Sequence, residues 1–182
     1  MTQKSDISKA QEQVTSYNKK LTYADYLSFD FEHMVELIKG QLYKMTPAPS
    51  SFHQSVSVKL TSRFDSFIAD KSCALFHAPF DVILPIANEK KQTSTTVVQP
   101  DLCVICDLEK IEEAGCFGPP DLIIEILSPS TQKKDLTHKY NIYEETGVGE
   151  YWVIYPQSRM LHVFQLVDGE YLRPPDRLYR EC

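Results

Sequence analysis

The chain has 182 residues, 42% of them hydrophobic, which is enough for one domain of ordinary size with a real core. Its 25 acidic and 19 basic residues give a formal charge of −6, the wrong sign for a protein that coats nucleic acid non-specifically. No apolar run is long enough to span a membrane and no secretory leader pattern opens the chain, so we expect a cytoplasmic protein without a membrane segment.

The first part of the chain predicts a tail, a short helix, a hairpin and a long helix. Residues 1–20 are polar without a sustained apolar face and predict a flexible tail, which leaves 21–182 as a single domain. Thr22 is a suitable N-cap for a helix in TYADYLSF, and the glycine of MVELIKGQLYKM permits a tight turn between two strands. Apolar residues then recur at helical spacing: Phe52, Val56, Leu60, Phe64, Phe67 and Ile68.

The second part of the chain predicts several strands and one more helix. CALFHAPFDVILP alternates as one half-buried strand, and QPDLCVI and PPDLIIEI predict two core strands that each begin with proline and aspartate. Residues 130–147 predict a helix, and EYWVIYP and MLHVFQLV predict a closing pair of strands. Helices that alternate with strands predict an α/β fold, with α+β character, around a mixed sheet.

Carboxylates on the two core strands are the main functional signal. Asp121 and Glu125 share one strand face, and Asp101 can approach Glu125 if the two strands are neighbours. A buried carboxylate must be paired, protonated, hydrogen-bonded or bound to a cation. Two oxygen ligands on rigid strands can hold Mg²⁺, whereas an ion pair at the end of the sheet is the structural alternative. Asp121 fits a turn or cap at its strand entry.

Three further side chains are candidates for the same site. Lys139 lies four residues from both Asp135 and Tyr143, so it either points over the sheet toward a phosphate or forms an exposed pair with Asp135. Glu36 is either a third carboxylate of the site or an edge charge. His53 opens the long helix and could contact a phosphate or serve as a polar cap.

The cysteine pattern argues against a disulfide framework and against zinc. Five cysteines are an odd number without framework spacing, which favours buried thiols in a reducing compartment. Cys103 and Cys106 form a CxxC pair, but a strand would send them to opposite faces and no second pair completes a tetrahedral site.

The order of several phrases resembles the Uma2 family. They are VELIKGQLYKM, PAPSSFHQSVSVKL, QPDLCVI, PPDLIIEILSPST, DLTHKYNIYEETGVGEYWVIYP and HVFQL, and they run from about Tyr23 to Leu166. The resemblance implies a core of the PD-(D/E)XK, restriction-endonuclease-like superfamily, with an added N-terminal hairpin and added C-terminal strands.

The resemblance also implies a set of site residues. Asp101 matches the aspartate of PD and Glu125 the acidic residue of (D/E)XK, while Leu127 stands where the lysine is expected. Lys139 matches a lysine that has moved to the following helix, and Glu36 matches an acidic residue from the first hairpin. The implied catalytic set is Asp101, Glu125, Lys139 and Glu36, of which the three acidic residues would bind the metal. His53 matches the histidine that opens the helix.

The function implied by the resemblance is a Mg²⁺-dependent nuclease, with Mn²⁺ as a substitute, that hydrolyses phosphodiester bonds of DNA. Substrate contacts would come from His53 and from Lys133, Lys134 and His138, whose local positive charge offsets the acidic surface. The alternatives are a non-catalytic binding or assembly module, for which a homodimer is expected, and a hydrolase of RNA or another phosphate ester.

Overall fold

The computed structural model describes residues 20–31, 33–45, 50–128, 135–172 and 177–178. The chain divides into two compact units, one of Met1–Met45 and Ile83–Val98 and the other of Thr46–Val82 and Gln99–Cys182. The predicted tail lies outside the described residues except for Lys20. No helix within the described ranges is both long and apolar enough to cross a membrane.

The first unit contains the predicted short helix and hairpin. Its elements are α1 (Tyr23–Ser28), β1 (Val35–Ile38), β2 (Gln41–Lys44) and β5 (Val97–Val98), and the strands pair antiparallel in the order β2–β1–β5. Thr22 caps α1 as predicted, in a reciprocal pair of hydrogen bonds with Asp25. Lys39 and Gly40 both have positive φ, 49° and 82°, which is the turn geometry that suits a two-residue hairpin.

The second unit is built around a seven-stranded mixed sheet. Its helices are α2 (Ser51–Ile68) and α3 (Tyr140–Thr146), the latter preceded by a π-helical turn, Asp135–Lys139. The sheet contains β3 (Ala74–His77), β6 (Leu102–Ile105), β9 (Leu122–Ile126), β10 (Glu150–Tyr155), β11 (Met160–Val167), β12 (Glu170–Leu172) and β13 (Arg177–Leu178). The order is β12–β11–β10–β9–β6–β3, with β13 also on β11, and β9–β10 is the parallel pair. The mixed α+β class predicted from the sequence is confirmed.

Two features of this region were not predicted. The stretch 73–85 is two strands, β3 and β4 (Asp81–Ile83), and not one, because Pro79 between them lacks the N–H that a continuous ladder requires. A short hairpin also follows β6, formed by β7 (Ile111–Glu112) and β8 (Gly115–Phe117).

The register of β6 and β9 decides how the two Pro-Asp strands face each other. They are antiparallel neighbours, and Leu102 stands opposite Ile124 at the end of their ladder. Asp101 is the residue before Leu102 and Glu125 the residue after Ile124, so both lie at this end of the ladder. The two residues are therefore carried at the same end of adjacent strands: Asp101 Oδ2 accepts the Ile126 N–H, and Glu125 projects to the face opposite Ile124 and Ile126.

Helix α2 covers the other face of the sheet. Its Val56, Leu60 and Phe64 pack against a buried cluster: Leu102, Val104, Leu122, Ile124 and Ile126. The ends of the predicted apolar stripe behave differently, because Phe52 and Phe67 remain 50% and 64% exposed. A helix of 18 residues is about 27 Å long, which exceeds the length of strands of four or five residues, so part of the helix extends past them.

A disulfide joins β3 and β6 and corrects the prediction that the cysteines are thiols. Ala74 pairs with Ile105, so Cys73 and Cys106 stand opposite each other one step beyond, and they are bonded. They are 33 residues apart in sequence, and only the strand pairing brings them together. Cys103 and Cys116 are buried free thiols, in line with the predicted thiols. The bond also removes Cys106 from any CxxC metal pair.

The disulfide and the buried thiols predict a pattern of cysteine reactivity. Two of the four cysteines among the described residues are bonded, so the denatured but unreduced protein should titrate at two fewer thiols than the reduced protein. In the folded protein Cys103 and Cys116 should react slowly, because burial raises the pKa of Cys116 to about 12 and the thiolate is the reactive form. The same number of thiols before and after reduction would contradict the disulfide, and peptide mapping identifies the bonded pair.

Candidate active site

Asp101 lies at the entry of β6 and contacts both β9 and α2. Its Oδ2 accepts the Ile126 N–H at 2.7 Å, so the carboxylate rests against the peptide that follows Glu125. The same oxygen is 3.3 Å from His53 Nε2, and the Asp101 side chain is 23% exposed. A backbone donor and an imidazole therefore fix a carboxylate that solvent can still reach.

His53 is brought to Asp101 by the start of α2. The helix is capped by Ser50, whose Oγ accepts the His53 N–H at 3.2 Å, so the cap role considered for His53 belongs to Ser50. The imidazole instead faces Asp101, and its side chain is 13% exposed. A contact between His53 and a phosphate stays a prediction.

Glu125 has buried partners from α3 and from the π-helical turn. Its Oε1 accepts a hydrogen bond from Lys139 Nζ at 2.7 Å and another from Tyr143 Oη at 2.8 Å. The Glu125 and Lys139 side chains are only 5% and 3% exposed. The core strand therefore tolerates this carboxylate because a cation and a hydroxyl accompany it into the interior.

Lys139 contacts Glu125 from the π-helical turn, whereas the lysine of the (D/E)XK motif would stand two residues after Glu125. Leu127, at the position of the motif lysine, is 7% exposed and donates its N–H to Ile154 O at 2.9 Å, as a core residue does. Lys139 ends the π-helical turn, and π-helical turns are often found at functional sites. The sequence left two positions open for the Lys139 side chain. The contact with Glu125 agrees with the one in which the side chain points over the sheet.

Asp121 has the structural role that its position at the strand entry suggested. Its Oδ2 accepts the Cys106 N–H at 2.7 Å, and its carbonyl accepts the Glu150 N–H at 2.9 Å. Both bonds close the ladders at the beginning of β9, whereas Glu125 stands near the other end. Asp121 is thus a cap of the sheet and lies apart from the Asp101–Glu125 pair.

Four further side chains were predicted for this site, namely Glu36, His138, Lys133 and Lys134. Glu36 is fully buried in β1 of the first unit, where it stands opposite Tyr43 in the hairpin. His138 is exposed on the π-helical turn. Lys133 and Lys134 lie outside the described residues. The roles assigned to these four side chains stay predictions.

The face of the sheet that carries Glu125 is a low-dielectric environment. Burial raises the pKa of the Cys103 thiol well above its ordinary value, and electrostatic interactions with Cys116 and Glu125 add to that rise. Charges in such an environment interact more strongly than charges in water. The hydrogen bonds to Glu125 therefore fix its carboxylate more firmly than the same bonds would at the surface.

The donor chemistry of the pair fits a hard divalent cation. Asp101 and Glu125 supply carboxylate oxygens from adjacent strands, and Mg²⁺ commonly takes one or two carboxylates with waters and phosphate oxygens as its other ligands. Across the described part of the chain, no three His, Cys, Asp or Glu side chains form a complete metal-binding group. A cation held here would therefore draw most of its ligands from water and substrate.

Sequence reasoning did not assign Tyr143 to the site. The available signal was its spacing, because a residue four positions after Lys139 shares its side of a helix. The Tyr143 hydroxyl donates to Glu125 Oε1, next to the bond from Lys139.

Comparisons with known proteins give similarities in sequence and in fold. A sequence model of the family described as "Uma2: Putative restriction endonuclease" matches residues 22–178. An uncharacterized protein of Synechocystis sp. (strain ATCC 27184 / PCC 6803 / Kazusa) is 29% identical over 126 residues, which cover 68% of this chain and 62% of that relative. The match thus spans less than two thirds of the relative's length.

A solved structure shares the fold. It is a crystal structure of a "putative nuclease belonging to DUF820" from Anabaena variabilis ATCC 29413, with a TM-score of 0.66 and 20% sequence identity. The similarity covers 89% of each chain. At this level of identity it establishes the architecture, and the description of the neighbour as a nuclease applies to that protein.

Proposed function

Because the chain belongs to the Uma2 family, we propose that it is a Mg²⁺-dependent nuclease that hydrolyses phosphodiester bonds of DNA. The observation that supports this function best is that Asp101 Oδ2 accepts the backbone N–H that follows Glu125, while Lys139 Nζ contacts the Glu125 carboxylate. Two carboxylates can hold a divalent ion and a lysine can stabilise charge on a phosphate, and metal-assisted phosphodiester hydrolysis uses both effects. Glu36 is proposed as a third acidic residue of the site.

Each side chain has a distinct part in the proposed reaction. Asp101 and Glu125 would hold the Mg²⁺, or Mn²⁺ in its place. The bound ion supplies polarisation of the scissile phosphate and a lowered pKa of its water. Lys139 stabilises negative charge as it develops on the phosphate or positions the attacking water. His53, with its ring against Asp101, and the basic residues Lys133, Lys134 and His138 contact flanking phosphates.

A second candidate function rests on the Lys139–Glu125 contact. An ammonium group 2.7 Å from Oε1 already balances the Glu125 charge, so the carboxylate needs no metal to be tolerated in the core. This observation favours a non-catalytic binding or assembly module that retains the nuclease fold and acts as a homodimer. A cytoplasmic location is proposed for either function.

A cleavage assay with several substrates tests the proposed function. Supercoiled plasmid, single-stranded DNA and RNA are each incubated with the protein in Mg²⁺, in Mn²⁺ or in EDTA. We expect DNA cleavage that depends on the divalent ion and stops in EDTA. Cleavage of RNA alone would contradict the DNA substrate, whereas no cleavage of any substrate in either metal would favour the binding module.

A further inference from the structure

The Tyr143 side chain, which contacts Glu125, is held in place by its packing. It is fully buried, and its ring packs edge-on against Tyr151, with centroids 4.9 Å apart. Tyr151 is the β10 neighbour of Ile123 in β9. The aromatic contact therefore fixes the tyrosine ring relative to the strand that carries Glu125.

The main chain of Tyr143 is anchored as well. Its carbonyl accepts the N–H groups of Gly147 at 3.2 Å and Val148 at 2.9 Å, where α3 ends. Gly147 adopts φ 87°, the left-handed conformation that favours glycine at a helix end. With both the ring and the carbonyl held, the hydroxyl has little freedom to move away from Glu125 Oε1.

The two donors to Oε1 differ in what they provide. Lys139 brings a full charge on a flexible four-carbon stem, whereas Tyr143 brings a hydroxyl on a rigid ring. A hydrogen bond to an ionised carboxylate is short and directional, and the Tyr143 bond is 2.8 Å long. The lysine thus balances the charge of Glu125, and the tyrosine defines the orientation of its carboxylate plane.

We propose that Tyr143 is a positioning residue that orients Glu125 for cation binding, an inference that rests on the proposed nuclease function. The hydroxyl donates to Oε1, and this constrains the orientation of the carboxylate that a cation would meet. Partners of this kind behind a metal ligand commonly change metal affinity by about 10–100-fold when they are removed. Tyr143 itself touches neither metal nor substrate.

The substitution Tyr143→Phe tests the proposal because it removes the hydroxyl and retains the ring. We expect Mn²⁺ to bind this variant about 10–100-fold more weakly than the wild type in calorimetry, while the circular dichroism spectrum is unchanged. Tyr140→Phe is the matched control, since Tyr140 lies in the same helix and packs on Phe164. Equal Mn²⁺ affinity of wild type and Tyr143→Phe would overturn the positioning role and leave the nuclease proposal intact.

A metal-free experiment separates failure of this inference from failure of the proposed function. Thermal unfolding midpoints are measured for Tyr143→Phe, Glu125→Gln and the double variant in EDTA. If the shift of the double variant differs from the sum of the two single shifts, the Tyr143–Glu125 interaction is supported. This conclusion holds even if the wild type binds no Mn²⁺, a result that would count only against the proposed nuclease. Additive shifts would overturn the positioning role whatever the metal result.

Discussion

Lys139→Met is expected to lower the free energy of unfolding by about 3–5 kcal/mol, because removing one partner of a buried ion pair leaves the other charge uncompensated. Glu125 and Lys139 are both almost completely buried, so water cannot take over the role of the missing ammonium. Tyr143 would remain as a donor, but it carries no positive charge. Chemical denaturation followed by circular dichroism measures the loss.

Two further variants decide whether this loss comes from the ion pair. Lys59→Met changes an exposed lysine of α2 and should alter stability by less than about 0.5 kcal/mol. The double variant Lys139→Met/Glu125→Gln should recover most of the lost stability, since it removes both charges and keeps an acceptor for Tyr143. A double variant less stable than Lys139→Met alone would contradict the account of the pair.

Asp101→Asn is expected to reduce DNA cleavage by about 100-fold or more and to leave the fold intact. The amide oxygen of asparagine can still accept the Ile126 N–H, so the backbone contact that Asp101 makes with β9 is retained. What is lost is the negative charge that attracts the divalent ion, and loss of one such electrostatic group commonly costs about 100–1,000-fold in rate. Cleavage under saturating Mn²⁺ and the unfolding midpoint are measured together.

The matched control for this variant is Glu113→Gln, an exposed carboxylate of the same unit at the turn between β7 and β8. It removes the same charge and should cleave DNA at the wild-type rate. If Asp101→Asn cleaved DNA as fast as Glu113→Gln, Asp101 would have no part in the reaction. A loss of cleavage in both variants would point to the overall charge of the protein instead.

Asp101 and Glu125 could be predicted as a pair from the sequence because the alternation of side chains in a strand determines which residues share a face. Alternation placed Asp101 and Glu125 on defined faces, and the repeated Pro-Asp phrase suggested two similar strands. The register of β6 and β9 then confirms that these strands are neighbours. The helix α2 and the first hairpin were equally predictable, since capping, helical spacing and a turn glycine are local signals.

The features that escaped prediction depend on contacts between distant segments. Cys73 and Cys106 become partners through strand pairing, which their spacing does not reveal. The division of 73–85 into two strands follows from Pro79, which alternation alone ignores. Tyr143 has the apolar ring of a core residue and the hydroxyl of a site residue, and the partner that decides between these roles lies on β9.

The most direct test of the central claim is calorimetry of Mn²⁺ binding to the wild type and to folded Glu125→Gln, because it requires no assumption about the substrate. The account predicts that the wild type binds the ion and that binding is lost in the variant, whose side chain is equal in size but uncharged. Binding of equal strength in both proteins, or in neither, would contradict a metal site at Glu125.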